Sequence, residues 1–191
     1  MLSVGDRFPD YSLPACVGND PENAFTVVNS SDHSGRWRVI FFWPYDFTFV
    51  CPTEIAAFGR LNEQFTENDA QVLGVSADSK YVHYAWRVTH PDLQDLPFPM
   101  LADTGRDLIS ACGVMTDNGV ADRATFLVDP DGVIQFSMTT PMVVGRNPEE
   151  VLRILQAARN GHMVACNWHP GDAALDAAEL MSAMRQDASA A

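Results

Sequence analysis

The stretch FFWPYDFTFVCPTEIAAFGRL, Phe41 to Leu61, joins an apolar run to a helical pattern through a proline-marked turn, and its one sulfur, Cys51, sits at the junction. Arg38 to Trp43 (RVIFFW) is the kind of continuous apolar run that forms a strand buried on both faces. Downstream, Ile55, Phe58, Leu61 and Phe65 recur near the helical period, with Glu54, Arg60, Glu63 and Glu67 off that face. Ala70 to Ser76 (AQVLGVS) is a second buried strand, so this segment predicts one β-α-β unit.

Further along, Ser79 is placed to cap a helix over Lys80 to His90 that stops before Pro91. Arg123 to Asp129 and Val133 to Met138 flank Asp129-Pro130-Asp131-Gly132, which has the composition of a tight hairpin turn, so the sheet is expected to be mixed. Asn147-Pro148-Glu149-Glu150 sets a cap, an N1 proline and an N3 carboxylate before Val151, Leu152, Ile154 and Leu155, and Gly161 can close that helix. The tail holds Cys166-Asn167-Trp168-His169-Pro170-Gly171, then an alanine-rich helix with Asp176 and Glu179 at capping-box spacing; being weakly apolar, that helix is expected to dock or fray. This order predicts a thioredoxin-like α/β fold, a mixed central sheet flanked by helices, with extensions at both ends. Residues 1–160 read as the domain and 161–191 as its tail.

A chain of 191 residues, 47% hydrophobic, is one domain's length with ample core. A net charge of −13 and a pI near 4.5 offer no basic stripe for nucleic acid or an anionic membrane. The N-terminus lacks a basic then apolar leader, and no window approaches the roughly 18 apolar residues of a membrane span, so a cytoplasmic protein is expected. Cys16, Cys51, Cys112 and Cys166 are far apart with no C-x-x-C pair, which fits neither a disulfide scaffold nor a zinc ribbon. His83 and His90, seven apart, are too few for a metal site, and Met138 and Met142 read as core.

A lone cysteine at a strand-to-helix junction is ordinarily a packing residue. Here Pro52 suits the first helical turn, so the sulfur meets the positive end of a helix, where unpaired N–H groups favour the thiolate. Thr48 is close enough in sequence for its hydroxyl to reach the sulfur or an oxygen beside it, and Pro44 stiffens the loop. Phe41, Phe42, Trp43, Phe47 and Phe49 are expected to keep the pocket dry. The conjunction of proline, threonine and helix-start cysteine points to chemistry.

Pro44-Tyr45-Asp46-Phe47-Thr48-Phe49-Val50-Cys51 matches the P-x-x-x-T-x-x-C pattern of peroxiredoxins, and DFTFVCPTEI resembles their typical two-cysteine branch. Together with DLPFPMLAD, GVADRATFLVDP, VGRNPEEVLR and ACNWHPGD, it resembles the bacterial alkyl hydroperoxide reductase C proteins of the actinobacterial type. The resemblance implies that Cys51 attacks the peroxide and becomes a sulfenic acid, shielded by Pro44, with Thr48 bonding the bound oxygen. It implies that Arg123 holds the thiolate, that Glu54 orients the arginine and that Trp86 edges the pocket. Taken alone, Arg123 reads as a strand-edge surface group, Glu54 as an N-terminal helix carboxylate and Trp86 as pocket edge or core.

The same resemblance implies a resolving cysteine from the tail of the partner protomer, four residues before the tryptophan, but Val164 stands there. Cys166, two residues before Trp168, is the only tail thiol and is expected to resolve; Cys16 and Cys112 are read as packing residues. The resemblance further implies a hydroperoxide substrate, no metal, flavin or haem, homodimers in a ring of five or six, and an external dithiol reductant. That reductant is thioredoxin or an alkyl hydroperoxidase D-type adaptor. No G-G-L-G insertion or tail Y-F pair is present, which resembles the branch resistant to over-oxidation. The alternatives are a one-cysteine peroxidase resolved by an external thiol, a peroxide sensor, and a holdase ring; a thiol-disulfide exchange protein would carry C-x-x-C.

Overall fold

The computed structural model describes residues 1–189, in which seven strands form one sheet in the order β2-β1-β5-β4-β3-β6-β7. These are β1 (Ser12–Cys16), β2 (Phe25–Asn29), β3 (Trp37–Phe42), β4 (Ala70–Ser76), β5 (Met100–Ala102), β6 (Arg123–Val128) and β7 (Ile134–Thr140). Strands β3, β4 and β5 pair in parallel and the remaining pairs are antiparallel, so the sheet is mixed as expected. Six helices accompany it among the described residues: α1 (Cys51–Arg60), α2 (Asn62–Glu67), α3 (Lys80–Thr89), α4 (Asp107–Ala111), α5 (Pro148–Asn160) and α6 (Ala177–Ser189). The chain divides into two compact units, Met1–Glu149 and Glu150–Ala191.

The unbroken apolar run of β3 is explained by burial on both faces. Phe41 stacks on Phe58 of α1 with ring centroids 4.2 Å apart, while Ile40 and Phe42 join a cluster with Phe126, Leu108 and Ile109 on the other side. Gly74 in β4 is required by this packing, because a Cβ there would come within 2.7 Å of the Trp43 ring. The expected helix through Phe65 is instead broken at Leu61 (φ −91°, ψ 0°), between the weak helix formers Gly59 and Asn62.

The hairpin turn closes as expected. Asp129 Oδ1 accepts from the N–H groups of Asp131 and Val133, each at 2.9 Å, and Gly132 takes φ +85°. Ser79 caps α3 by accepting from Val82 N, Asn147 Oδ1 accepts from Glu149 N at 3.0 Å, and Gly161 follows α5 at φ +73°. Asp176 Oδ1 accepts from Ala178 and Glu179 N–H groups at the start of α6, where Leu180 and Met181 are exposed. Met138 and Met142 are half-buried rather than core: Met138 lies on β7, the sheet's edge strand, and Met142 in the turn that follows it. The N-terminal extension is the β1–β2 hairpin, which adds to the sheet through β5.

Candidate active site

Strand β3 ends at Phe42 and the chain enters a helix at Cys51, so residues 43–50 form the loop that leads from the sheet to the sulfur. Cys51 is itself the first helical residue and Pro52 the second, one position later than expected; Val50 provides no side-chain cap. Cys51 is fully buried, and Glu54 follows it by three positions, on the same side of the helix.

Arg123 opens β6, which lies antiparallel to β3, and the pairing of Phe41 with Thr125 brings it beside the end of β3. Arg123 is only 3% exposed, so the surface alternative fails. Arg123 Nη1 donates to Cys51 Sγ at 3.3 Å and to Glu54 Oε2 at 2.6 Å, and Nε donates to the Met142 carbonyl at 2.7 Å. With three partners the guanidinium is fixed in place.

Arg146 is the second cation here, and the sequence pattern assigns it no role. It donates to Glu54 Oε1 from its backbone N (2.7 Å) and Nε (2.8 Å), and to Oε2 from Nη2 (3.1 Å). Its Nη1 reaches the Ala124 carbonyl (2.6 Å) and Thr125 Oγ1 (3.1 Å), which ties it to β6. Burial alone would push the Glu54 carboxyl up; the hydrogen bonds and charge of Arg146, with Arg123, outweigh it and hold the group below the usual carboxylate range. In sequence Arg146 sits in a short loop with apolar and polar neighbours, where no periodicity says whether it is exposed or paired.

The other expected residues are placed less uniformly. Pro44 is buried. Thr48 is half-buried, and its hydroxyl donates to the Tyr45 carbonyl at 3.0 Å rather than to the sulfur. Trp86 is 1% exposed and packs with its ring centroid 5.8 Å from that of Phe47, so it is both core and edge of a cavity of about 240 Å³ that Thr48 also lines. The expected dry wall is only partly formed: Phe41, Phe42 and Trp43 are buried, but Phe47 is 56% and Phe49 93% exposed. Phe47 turns the loop outward at φ 54°, which carries both rings away from the core.

The loop is pinned from below by a network with no sequence signal. Asp46 accepts from Trp43 Nε1 at 2.8 Å and meets His83 Nδ1 of α3 at 2.7 Å, while its backbone N donates to Asp78 at 2.9 Å. Burial, with the charge of Asp46 adding to it, pushes the Asp78 carboxyl up despite these donors. Of the remaining cysteines, Cys16 and Cys112 are buried and both thiols are pushed up by burial, Cys112 to about 12, so they suit packing. Cys166 is exposed. Among the described residues no three His, Cys, Asp or Glu side chains converge to hold a metal ion.

A mixed sheet of this order, with a helix-start cysteine reached by the loop that leaves the buried strand β3, is the thioredoxin-like arrangement of the peroxiredoxins. The AhpC/TSA family matches residues 4–137. Alkyl hydroperoxide reductase C of Mycolicibacterium smegmatis is 54% identical over 190 residues, covering 95% of this chain and 97% of that protein. The protein of that name from Mycobacterium tuberculosis is 53% identical over 191 residues, covering 96% and 98%. Among solved structures, M. tuberculosis AhpC superposes with a TM-score of 0.82 at 52% identity, covering 88% of this chain and 99% of that one. Reduced Plasmodium vivax 2-Cys peroxiredoxin superposes at 0.86 with 30% identity, covering 95% and 100%. The chain belongs to the AhpC/TSA family.

Proposed function

We propose that this protein is a thiol peroxidase that reduces hydrogen peroxide and organic hydroperoxides at Cys51. The observation that carries the reading is the Arg123 Nη1 to Cys51 Sγ hydrogen bond of 3.3 Å, held by Glu54. The thiolate sulfur bonds to one peroxide oxygen as the O–O bond breaks; the electron pair leaves on the second oxygen, which takes a proton and departs as water or alcohol. Cys51 is thereby oxidised by two electrons to a sulfenic acid. Arg123 stabilises charge on sulfur and oxygen alike, because its guanidinium is already oriented. Pro44 screens the sulfur, and the Thr48 hydroxyl, now on the Tyr45 carbonyl, is free to turn to a bound oxygen. Because Cys51 is fully buried, a peroxide enters by displacement of the 43–50 loop, whose exposed Phe47 and Phe49 leave it the least covered wall.

Resolution follows when the thiol of Cys166 from the partner protomer of a homodimer attacks the sulfenic sulfur, forming a disulfide and releasing water. Cys166 is the one exposed cysteine among the four, which suits a thiol that must travel. A dithiol protein, thioredoxin or an alkyl hydroperoxidase D-type adaptor, then reduces the disulfide, in the cytoplasm, with the dimers assembled in a ring of five or six. Val164 at the usual resolving position favours a second reading, in which an external thiol attacks the sulfenate directly.

Two measurements test these steps. Cys51→Ser is expected to abolish peroxide consumption with the fold intact, and measurable turnover by the variant overturns the nucleophile assignment. Non-reducing electrophoresis after one equivalent of peroxide is expected to give a disulfide-linked dimer that Cys166→Ser cannot form. A wild-type chain that stays monomeric supports the external thiol instead.

A further inference from the structure

Arg38 lies near the start of β3, whereas Cys51 follows its end, so the two mark opposite ends of one strand. Beside Arg38 a cavity of about 230 Å³ opens between the N-terminal segment, the 3-10 turn Ser30–His33 and the β6–β7 turn. Residues 5–8 are zipped onto that turn: Gly5 N–H donates to the Ile134 carbonyl and Phe8 N–H to the Gly132 carbonyl, each at 2.9 Å. This pairing sets Arg7 at the cavity wall, where its Nη1 donates to the Asp131 carbonyl at 2.9 Å.

Two guanidinium groups converge there. A Cβ on Gly132 would stand 3.2 Å from Arg7 Nη1 and 3.6 Å from Arg38 Nη2, so both cations face the bare side of one glycine. Arg38 is 7% exposed, yet among the described residues it enters no ion pair and its Nε has no hydrogen-bond partner. A buried guanidinium short of acceptors is costly and is seldom retained unless something pairs with it. Its neighbours do not serve. Burial pushes the Tyr11 phenol up to about 12 against the pull of Arg38, so it stays neutral at physiological pH, and of the two carboxylates that line the cavity, Asp10 and Asp131, neither forms an ion pair with Arg38 or Arg7.

We propose that this cavity binds a phosphate-type oxoanion, held by the Arg7 and Arg38 guanidinium forks with the Ser31 and Ser34 hydroxyls at its rim. Planar forks match the oxygens of phosphate in pairs. The volume lies below the roughly 300 Å³ where drug-sized ligand sites begin, which fits a free anion or the phosphate end of a larger molecule.

The test is calorimetric titration of the full chain with inorganic phosphate and, separately, with adenosine monophosphate, alongside melting curves in phosphate and in chloride of equal ionic strength. Saturable heat and a higher Tm in phosphate are expected, since a ligand of the folded state stabilises it by mass action. Arg7→Ala, at an exposed position, is expected to fold, to keep its peroxidase rate and to weaken binding by about tenfold or more. Arg38→Lys keeps the charge but loses the fork, and is expected to weaken binding as well. Binding of phosphate alone identifies a free anion, and comparable or tighter binding of adenosine monophosphate identifies a phosphate ester; either supports the site. No heat above the chloride control, or unchanged binding in Arg7→Ala, overturns it.

Discussion

Four buried arginines divide into two pairs. Arg123 and Arg146 share the carboxylate of Glu54 and leave no buried guanidinium nitrogen without a partner, while Arg38 and Arg87 enter no ion pair among the described residues, and each keeps an unpartnered Nε. Arg87 is 2% exposed and donates only to the Leu96 and Phe98 carbonyls. Burial pulls its charge-holding power down, with only Cys16 and Asp95 nearby to oppose. Burial of a cation is therefore not enough to mark a functional centre. The carboxylate that fixes Arg123 against sulfur does so, because it makes the guanidinium rigid where charge changes during reaction.

The largest expected effect comes from breaking the paired side. Glu54→Gln leaves two buried cations without a countercharge and is expected to cost about 3–5 kcal/mol of stability at neutral pH, read from urea unfolding midpoints. The pH dependence sharpens it. Because Glu54 titrates below its unfolded value, its contribution is fully present above the ordinary carboxylate range and is lost as pH falls through the folded value. The gap between wild type and Glu54→Gln should thus narrow on acidification. A gap constant with pH would mean that the charge of Glu54 does not hold the pair together.

Arg123→Met addresses rate rather than stability. Loss of one preorganised donor at the sulfur is expected to slow the peroxide step by an amount on the order of 2–4 kcal/mol in activation free energy. Stopped-flow rates with peroxide decide it, and an unchanged second-order constant would make the 3.3 Å contact structural only.

How far the site is legible in the sequence follows from sequence distance. Cys51 and Glu54 are one helical turn apart, so their common side can be read directly, as can the Asp129 to Gly132 turn that aligns β6 with β7. Arg123 lies 72 residues from Cys51, and no local pattern joins them; only the family resemblance does. Arg146 and the Asp46–His83 contact escape a reading of the sequence for the same reason, since long-range polar pairs carry no periodicity. The aromatic run misleads where it leaves the strand: Phe47 and Phe49 obey the loop's backbone, which alternation in β3 does not govern. The strands β1, β2 and β5, at the far side of the sheet from β7, are short or polar and offer too little apolar pattern to place.

The smallest effect belongs to the unpaired side, and it is the sharpest check on the contrast. Arg87→Met removes a buried charge that no carboxylate pairs with directly, which relieves a desolvation cost, and it fills a similar length with an adaptable apolar chain. Against that gain stand the two carbonyls of Leu96 and Phe98, which lose their donor at a net cost of about 1 kcal/mol each. These terms oppose one another, so the unfolding midpoint of Arg87→Met should shift by no more than about 2 kcal/mol in either direction, well short of Glu54→Gln. The peroxide rate should not change, because among the described residues no hydrogen bond or ion pair joins Arg87 to Glu54 or the sulfur. A loss as large as that of Glu54→Gln would show that two carbonyls can hold a buried guanidinium as firmly as a carboxylate does. The distinction between the two pairs of arginines would then rest on their distance from Cys51 and not on their countercharge.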